Sequence, residues 1–318
     1  MESLDISIIV CTYNRCQSLA GVLRDLGALV VPEGLRYEIL VVDNNSSDQT
    51  RQVVEAASAE RPGIVEYVFE PRQGKSYALN NAVGRARGAI LAFTDDDIVL
   101  DPNWLAEVKR TFDAEECMGV GGRILPLWRT QAPWWYETSG PHRLMGVFVT
   151  FDHGETMHDL KIPAWGANVA FRREAFRKYG LYREDLGRNA TGLLGGEDTE
   201  FWTRLADGGE KMVYSPGMLV HHPIEESRAN QRYFLSWYFD FGRTTARREK
   251  NPEETRYYLG VPRFLYRQLI AWAAKWLASP DPKRRFYYKL RAYQTAGQIK
   301  ESRALHRRAR QSQGVPAA

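Results

Sequence analysis

Apolar runs alternating with segments of helical periodicity fill the first hundred residues, and no other feature narrows the fold of this chain as much. Ile6 to Thr12, Tyr37 to Val42, Ile64 to Phe69 and Ala89 to Thr94 read as strands. Their apolarity is continuous rather than alternating, as expected of strands buried on both faces. Between them, Leu19, Val22, Leu23, Leu26 and Val30 recur at helical spacing, Gln52 to Ala59 reads as a short helix, and Ser76 to Ala86 places Leu79, Ala82, Val83 and Ala86 on one face. Such alternation calls for a parallel sheet covered by helices.

The pattern then loosens. Met118 to Pro126 and Asn168 to Phe171 read as strands, and Leu127 to His142 is rich in Trp and Pro. A helix near Glu174 to Tyr179, a glycine-rich loop over Gly192 to Gly196 and a helix over Asp198 to Ala206 follow. Asp101-Pro102 has the N-cap and N1 signature of a helix running through Trp104, Val108 and Phe112. From Gln231 the chain becomes helical, aromatic and basic, which places a boundary near Glu225. The Arg-, Ser- and Gln-rich tail after about Glu301 reads as flexible.

The position of Asp95-Asp96-Asp97 turns this fold into a functional hypothesis. The triplet directly follows the fourth apolar run, at the carboxyl end of a strand, where open α/β sheets bind ligands. Three crowded carboxylates repel one another unless a cation joins them, and a hard divalent metal carrying phosphates suits oxygen ligands. The alternative is a polar turn, although Asp101 already supplies the cap for the following helix. The first strand ends at Thr12-Tyr13-Asn14-Arg15, the second at Asp43 to Asp48, and the third before Arg72. In a parallel sheet these ends share one edge. That edge offers cations, a base- or sugar-reading carboxylate and a metal site, an inventory that matches a nucleotide diphosphate. Gln73-Gly74-Lys75-Ser76 is no P-loop, because Phe69 stands where its first glycine is needed, and no GxGxxG follows the first strand. ATPase and NAD-dependent chemistry are therefore disfavoured.

Five segments carry a resemblance. Ile8 to Arg15, Val41 to Thr50, Gly74 to Asn80, Ala86 to Asp97 and Gly196 to Trp202, in this order, together resemble the family 2 inverting glycosyltransferases with the GT-A fold, over about residues 5 to 225. The resemblance implies an α/β, Rossmann-like mixed sheet over residues 1–225, with a nucleotide-binding half to about 97 and an acceptor half over 98–225. Residues 226–318 then form a helical extension.

Residue by residue, the resemblance puts Asp43 on the nucleobase, Thr12, Tyr13 and Arg15 along the nucleotide, and Arg72 and Lys75 toward uracil and phosphates. It makes Asp95 and Asp96 ribose or metal-water contacts and Asp97 the main ligand of Mg²⁺ or Mn²⁺, with Asp95 and His222 as further metal candidates. Asp198 becomes the general base, with Glu197 as second choice. Trp134, Trp135, Trp165, Gly166 and Asn168 fall near the donor sugar and acceptor, and Arg228 and Arg232 on a mobile loop over the diphosphate. The structural alternatives are an Asx turn at Asp43, a plain strand residue at Thr12, surface charges at Arg15, Arg72 and Lys75, helix capping at Glu197-Asp198, a packed His221 or His222, tryptophans in the core, and the polar face of a helix at Arg228 and Arg232.

The implied reaction is inverting, metal-dependent transfer from a nucleotide-diphosphate sugar, with a UDP-sugar expected, to a glycan or lipid-linked saccharide in cell-surface polysaccharide synthesis. A sugar-phosphate nucleotidyltransferase would carry a glycine-rich basic loop where Tyr13 to Gln17 stands. A non-enzymatic membrane- or nucleic-acid-binding module leaves Asp95 to Asp97 and Glu197-Asp198 unexplained.

Composition sets the remaining bounds. Of 318 residues, 44% are hydrophobic and 26% charged, which suits a soluble globular chain, and the net charge of +4 is mild for a nucleic-acid binder, so none is expected as a partner. Cys11, Cys16 and Cys117 show no metal-type spacing and fit a reducing compartment. The amino terminus lacks the pattern of a secretory signal, so a cytoplasmic location is expected. Arg267 and Lys275 interrupt the most apolar stretch, Phe264 to Ala278, which falls short of the about 18–20 residues of a spanning helix. Aromatic and basic residues interleave from Tyr257 to Tyr293, as in helices lying peripherally on an anionic inner membrane face. Packing onto the catalytic domain or a dimer contact is the alternative there.

Overall fold

A computed structural model describes residues 4–144, 146–188, 194–249 and 251–312. The first half is built of β1 (Leu4–Thr12), α1 (Cys16–Gly27), β2 (Tyr37–Asp43), α2 (Thr50–Glu60), β3 (Val65–Phe69), α3 (Lys75–Arg85) and β4 (Gly88–Asp95). There follow β5 (Val99–Leu100), α4 (Trp104–Ala114), β6 (Gly119–Trp128), β7 (His158–Asp159), β8 (Asn168–Arg172), α5 (Arg173–Tyr179), α6 (Glu197–Asp207) and β9 (Met212–Ile224). The remainder is α7 (Gln231–Arg248), β10 (Tyr257–Tyr258), β11 (Val261–Pro262), α8 (Arg263–Ala278) and α9 (Pro282–Ser312). The glycine-rich loop expected over 192–196 lies partly outside the described residues. None of the described helices is long and apolar enough to cross a membrane.

The main sheet runs β3-β2-β1-β4-β8-β6-β9-β5, with β7 added beside β9. β1 pairs in parallel with β2 and β4, and β2 with β3, whereas β8 joins β4 antiparallel and so ends the parallel half. Register explains why the strand ends form a site. Thr12 lies beside Asp43, Asp43 beside Phe69, and Cys11 beside Asp95. The chemistry-bearing residues therefore leave the sheet along one edge, and Asp96 and Asp97 follow just beyond it. Ile6, Ile8 and Val10 on one face of the sheet and Leu40 and Leu91 on the other are fully buried, and α1 adds Leu19, Val22, Leu23 and Leu26 to the same core. The α1 stripe ends earlier than its spacing suggested: the helix stops at Gly27, and Val30 is half exposed.

Two local expectations are corrected. Asp101 does not cap α4 directly. Its Oδ1 accepts from Asn103 N, its carbonyl accepts from Trp104 N, and Asn103 stands at the cap position. Nor does order end near Glu301: α9 continues to Ser312. Glu301 is buried and accepts from Arg243 Nε at 2.9 Å and Arg247 Nε at 2.8 Å, which ties α9 to α7. A buried carboxylate held by two guanidinium groups is a far stronger anchor than the local composition suggests.

The chain divides into two compact units. One comprises Met1–Leu127, Phe148–Ala190 and Glu197–Pro223; the other comprises Trp128–Val147, Thr191–Gly196 and Ile224–Ala318. Residues 128–147, expected in the acceptor half, thus group with the carboxy-terminal helices. Trp135 ties them there: it is buried edge-on between Phe234 of α7 and Phe286 of α9, with ring centroids 4.8 and 4.9 Å away. The close crossing of α7 and α9 depends on two glycines. A Cβ at Gly242 would press into the Gln294 carbonyl, and one at Gly297 into that of Phe239. Gly242→Ala is expected to force the helices apart at a cost of about 1–3 kcal/mol, read as a lowered Tm, because backbone cannot move aside as a side chain can.

Candidate active site

All of the geometry below belongs to the first unit. The loops after β1 and β2 are fastened together by side chains rather than by strand pairing. Asn14 N donates to Ser46 Oγ at 2.9 Å, Ser47 N donates to Asn14 Oδ1 at 2.7 Å, and Cys16 N donates to Asp48 Oδ2 at 3.0 Å. Asn14 and Asn45 sit at φ 51° and 65°, the left-handed conformation that Asn tolerates best after Gly.

Asp43 takes the turn role that was its structural alternative. Its Oδ1 accepts from Ser46 N at 2.9 Å, and its Oδ2 from Tyr67 Oη at 2.8 Å. Each oxygen retains a lone pair, so the turn role leaves acceptor capacity on a carboxylate that is itself buried. Burial first, then the Asp43 hydrogen bond, push the Tyr67 phenol up to about 12, so it stays a donor to Asp43 at neutral pH. Sequence reasoning missed Tyr67, and it missed Asn44 as well. Asn44 Nδ2 donates to the Arg72 carbonyl at 2.6 Å, and its Oδ1 accepts from Gly74 N at 2.8 Å, pinning the loop that delivers Arg72 and Lys75. Its place directly after Asp43, at a strand end, was the one available signal. Arg72 itself is exposed at the rim; its Nε donates to Glu70 Oε1 at 2.9 Å, and its guanidinium lies 4.5 Å from the Tyr77 ring.

Two of the protein's own cations pair with the three carboxylates of the acidic triplet. Arg15 Nη1 donates to Asp96 Oδ1 at 2.8 Å and to Asp97 Oδ2 at 2.7 Å, while Lys75 Nζ donates to Asp95 Oδ1 at 2.7 Å. Two residues assigned to the nucleotide thus hold the carboxylates together. Burial raises Asp96 to about 6, with the Asp97 and Asp95 charges reinforcing it against Arg15. Burial also works against the charged form of Asp95, but Lys75 prevails and holds that carboxyl at about 2. His222 is buried on β9, with Nε2 3.7 Å from Asp97 Oδ1. The described residues contain no cluster of three or more His, Cys, Asp or Glu side chains arranged for a metal. A carboxylate and an imidazole side by side nevertheless fit a cation that takes its remaining ligands from substrate phosphates and water.

Asp198 and Glu197 open α6 and have different surroundings. Asp198 Oδ2 accepts from Gly166 N at 2.7 Å, and its Oδ1 from Thr199 N at 2.6 Å. A Cβ on Gly166 would stand 3.1 Å from Asp198 Oδ2, so the backbone there is packed against the carboxylate. Glu197 is 5% exposed, and its Oε2 has no hydrogen-bond partner among the described residues. Burial, then the Asp198 charge, raise it to about 7 against the opposing pull of Lys75.

That shift has a measurable sign. A carboxyl whose folded pKa is raised contributes stability fully present below its unfolded value, lost as pH rises through about 7. Glu197→Gln, which mimics the neutral acid, is expected to raise Tm at pH 8 and leave it nearly unchanged at pH 4.5, by about 2–4 °C per kcal/mol relieved.

The remaining residues separate into site and core. Trp165 is half-buried against the core, and Gly166 holds Asp198. Asn168 is fully buried; its Oδ1 accepts from Trp104 Nε1 at 2.8 Å, and its Nδ2 donates to the carbonyls of Met218 and Arg123. With its amide so occupied, Asn168 braces β8 instead of facing a sugar, just as Trp135 is a core residue of the second unit. Arg228 and Arg232 also belong to the second unit, Arg232 within the first turn of α7.

Known proteins resemble this chain in sequence and in fold. Residues 7–180 match the family model described as glycosyl transferase family 2. The chain is 32% identical to the succinoglycan biosynthesis protein ExoM of Rhizobium meliloti over 247 residues, 77% of this chain and 75% of the relative. It is 24% identical to a glucosyl-dolichyl phosphate glucuronosyltransferase of Haloferax volcanii over 229 residues, 71% of each chain. Among solved structures, the mannosyltransferase PcManGT of Pyrobaculum calidifontis, in complex with GDP-Man and Mn²⁺, superposes with a TM-score of 0.60 at 19% identity, covering 95% of this chain and 88% of that one. The mixed sheet is that of the GT-A fold.

Proposed function

We propose, from the premise that the chain belongs to glycosyl transferase family 2, that it moves a sugar from a nucleotide-diphosphate sugar to a glycan or lipid-linked saccharide, with inversion at the anomeric carbon. The observation that carries this reading is the pairing, within one unit, of a cation-bound carboxylate triplet at the sheet edge with a carboxylate oriented by backbone N–H groups at the start of α6.

In this reading Asp43 and Tyr67 receive the nucleobase, and Thr12 and Tyr13 line the nucleotide. Arg72 at the rim balances diphosphate charge, and Arg15 and Lys75, paired with the triplet, lie beside the nucleotide. Asp97 and His222 would hold Mg²⁺ or Mn²⁺, with Asp95 and Asp96 on ribose or on metal-bound water. Such an ion, when bound, stabilises the charge that develops on the departing nucleotide diphosphate. Asp198 accepts the proton of the attacking hydroxyl while Gly166 N and Thr199 N keep both its oxygens oriented, so the hydroxyl displaces the nucleotide from the opposite face without a covalent intermediate. Glu197, raised to about 7 by burial and the Asp198 charge, is only partly ionised at neutral pH, which lessens the negative charge crowding that base. Trp165 and Gly166 bound the sugar side.

We take a UDP-sugar as the donor, with GDP-sugars as the first alternative, since the PcManGT structure is a complex with GDP-Man. Cell-surface polysaccharide or glycolipid assembly at the inner membrane face is the process that fits, in keeping with ExoM and the dolichyl-phosphate-dependent relative. A nucleotidyltransferase is a poorer fit, because the loop after β1 is tied down by Asn14 and carries no run of glycines. The test is the anomeric configuration of the product by NMR: an axial donor linkage must give an equatorial product, and retention would contradict the direct displacement.

A further inference from the structure

The outward face of a surface helix ordinarily mixes acidic, basic and neutral polar groups, whereas that of α8 carries only apolar groups and cations. Its exposed arc is formed by Arg263, Phe264, Arg267, Ile270, Ala271, Ala274, Lys275, Leu277 and Ala278. Ile270 and Leu277 are 70% and 71% exposed, and Phe264 is about half exposed. No carboxylate, amide or hydroxyl lies among them. Over the roughly 20 Å from Phe264 to Leu277, at 1.5 Å per residue, the outward side consists of apolar groups and cations. Its inner side packs on α9, with Lys289 of α9 over the Trp276 ring at 5.3 Å.

A second, independent observation adjoins this helix. β10 and β11 pair Tyr257 with Pro262 and Tyr258 with Val261, leaving Leu259-Gly260 as a two-residue turn with φ of 49° and 73°. Turns with positive φ at both positions favour Asn-Gly or Asp-Gly. Here a leucine occupies the strained place, and it is 66% exposed, beside Tyr257 and Tyr258 at 54% and 60%. Gly260 is fixed by packing, since a Cβ there would collide with His306 of α9. An apolar side chain that is both strained and displayed to water is stabilising for neither local structure nor solubility, and such outliers gather where a surface has another task.

We propose that the outer face of α8 and the Tyr257-Tyr258-Leu259 tip form a docking surface for an anionic lipid bilayer, with Phe264, Ile270, Leu277 and Leu259 entering the acyl boundary and Arg263, Arg267 and Lys275 reaching lipid phosphates. Charge selects this occupant. From 257 to 300 the sequence contains one acidic residue, Asp281, and its carboxylate is engaged with Lys283 N and Arg284 N at the start of α9. A second copy of the chain on the same face would set Arg263, Arg267 and Lys275 against their own counterparts with no carboxylate between them. An anionic bilayer supplies the missing charge and a place for the apolar groups, and long basic side chains snorkel readily to its surface. The inference deepens the reading of a lipid-linked acceptor by naming the surface that brings the enzyme to it. Its test uses neither donor nor acceptor, so the two stand or fall separately.

The full chain is mixed with vesicles of phosphatidylcholine and phosphatidylglycerol in equal parts, or of phosphatidylcholine alone, and spun. It should pellet with the anionic vesicles at low salt and be released at high salt. Ile270→Ser combined with Leu277→Ser should weaken partition about tenfold or more. Leu259→Asn, which suits the turn better, should weaken it several-fold while holding or raising Tm, so that lost binding is not lost folding. Failure of the wild type to pellet with anionic vesicles, or unchanged binding by both variants, would overturn the proposal. So would a wild-type dimer in sedimentation velocity that these variants dissociate, since a second copy would then cover the face.

Discussion

Asp198→Asn is expected to slow sugar transfer by about 10²- to 10⁴-fold, the usual contribution of a positioned general base, while the donor Kd stays within about twofold of wild type. The carboxylate accepts from Gly166 N through one oxygen and from Thr199 N through the other, so neither oxygen is free to rotate away from the incoming hydroxyl. An Asn amide presents an NH₂ group toward one of those N–H donors and cannot accept a proton. Asp198→Glu should not rescue, because the Gly166 backbone leaves no room for a longer side chain to keep the same hydrogen bonds. Transfer is measured at saturating donor, and donor affinity separately by titration. If Asp198→Asn keeps full activity with normal donor affinity, the base lies elsewhere, and Glu197 is the next residue to change.

Asp97→Asn is expected to abolish metal-dependent donor binding and to lower kcat/KM by about 10³-fold or more, since several kcal/mol of leaving-group stabilisation depend on it and each 1.36 kcal/mol is tenfold. Stability should move the other way. In the unliganded protein Asp97 shares Arg15 with Asp96 and adds like charge to a crowded site, helping to raise Asp96 to about 6. Neutralising it relieves that repulsion, so the Tm of the unliganded variant should hold or rise slightly while the Mn²⁺ response disappears. Sites organised for function commonly trade stability in this way. A variant with lower Tm and retained metal response would make Asp97 structural.

How far the sequence speaks for itself depends on how local the cause is. Parallel strands buried on both faces write themselves as apolar runs, so β1 to β4 and the residues at their ends were legible from Ile6, Tyr37, Ile64 and Ala89 onward. The antiparallel second half was legible only in pieces, and β5 and β7, two residues each, left no pattern to read. Long-range pairing was hidden. Nothing local indicates that Arg15 reaches Asp96 and Asp97 across 81 and 82 residues, that Lys75 reaches Asp95, or that Asn44 secures the loop after β3. The same holds for Trp135, whose aromatic character matched a sugar platform but whose neighbours Phe234 and Phe286 lie far along the chain. The tail after Glu301 looked too basic to be ordered, and a single buried carboxylate bridging Arg243 and Arg247 reverses that reading.

The central claim, that the triplet edge is a metal-dependent nucleotide-sugar site, is tested most directly by thermal shift with Mn²⁺ against UDP-, GDP- and dTDP-sugars on wild type and Asp97→Asn. A ligand at a hundred times its Kd stabilises the folded state by about 2.7 kcal/mol, which is several degrees for a chain of this size. Such a rise is expected for one nucleotide class, present only with metal and absent from Asp97→Asn. A rise that Asp97→Asn retains in full, or no rise with any nucleotide sugar, would contradict it.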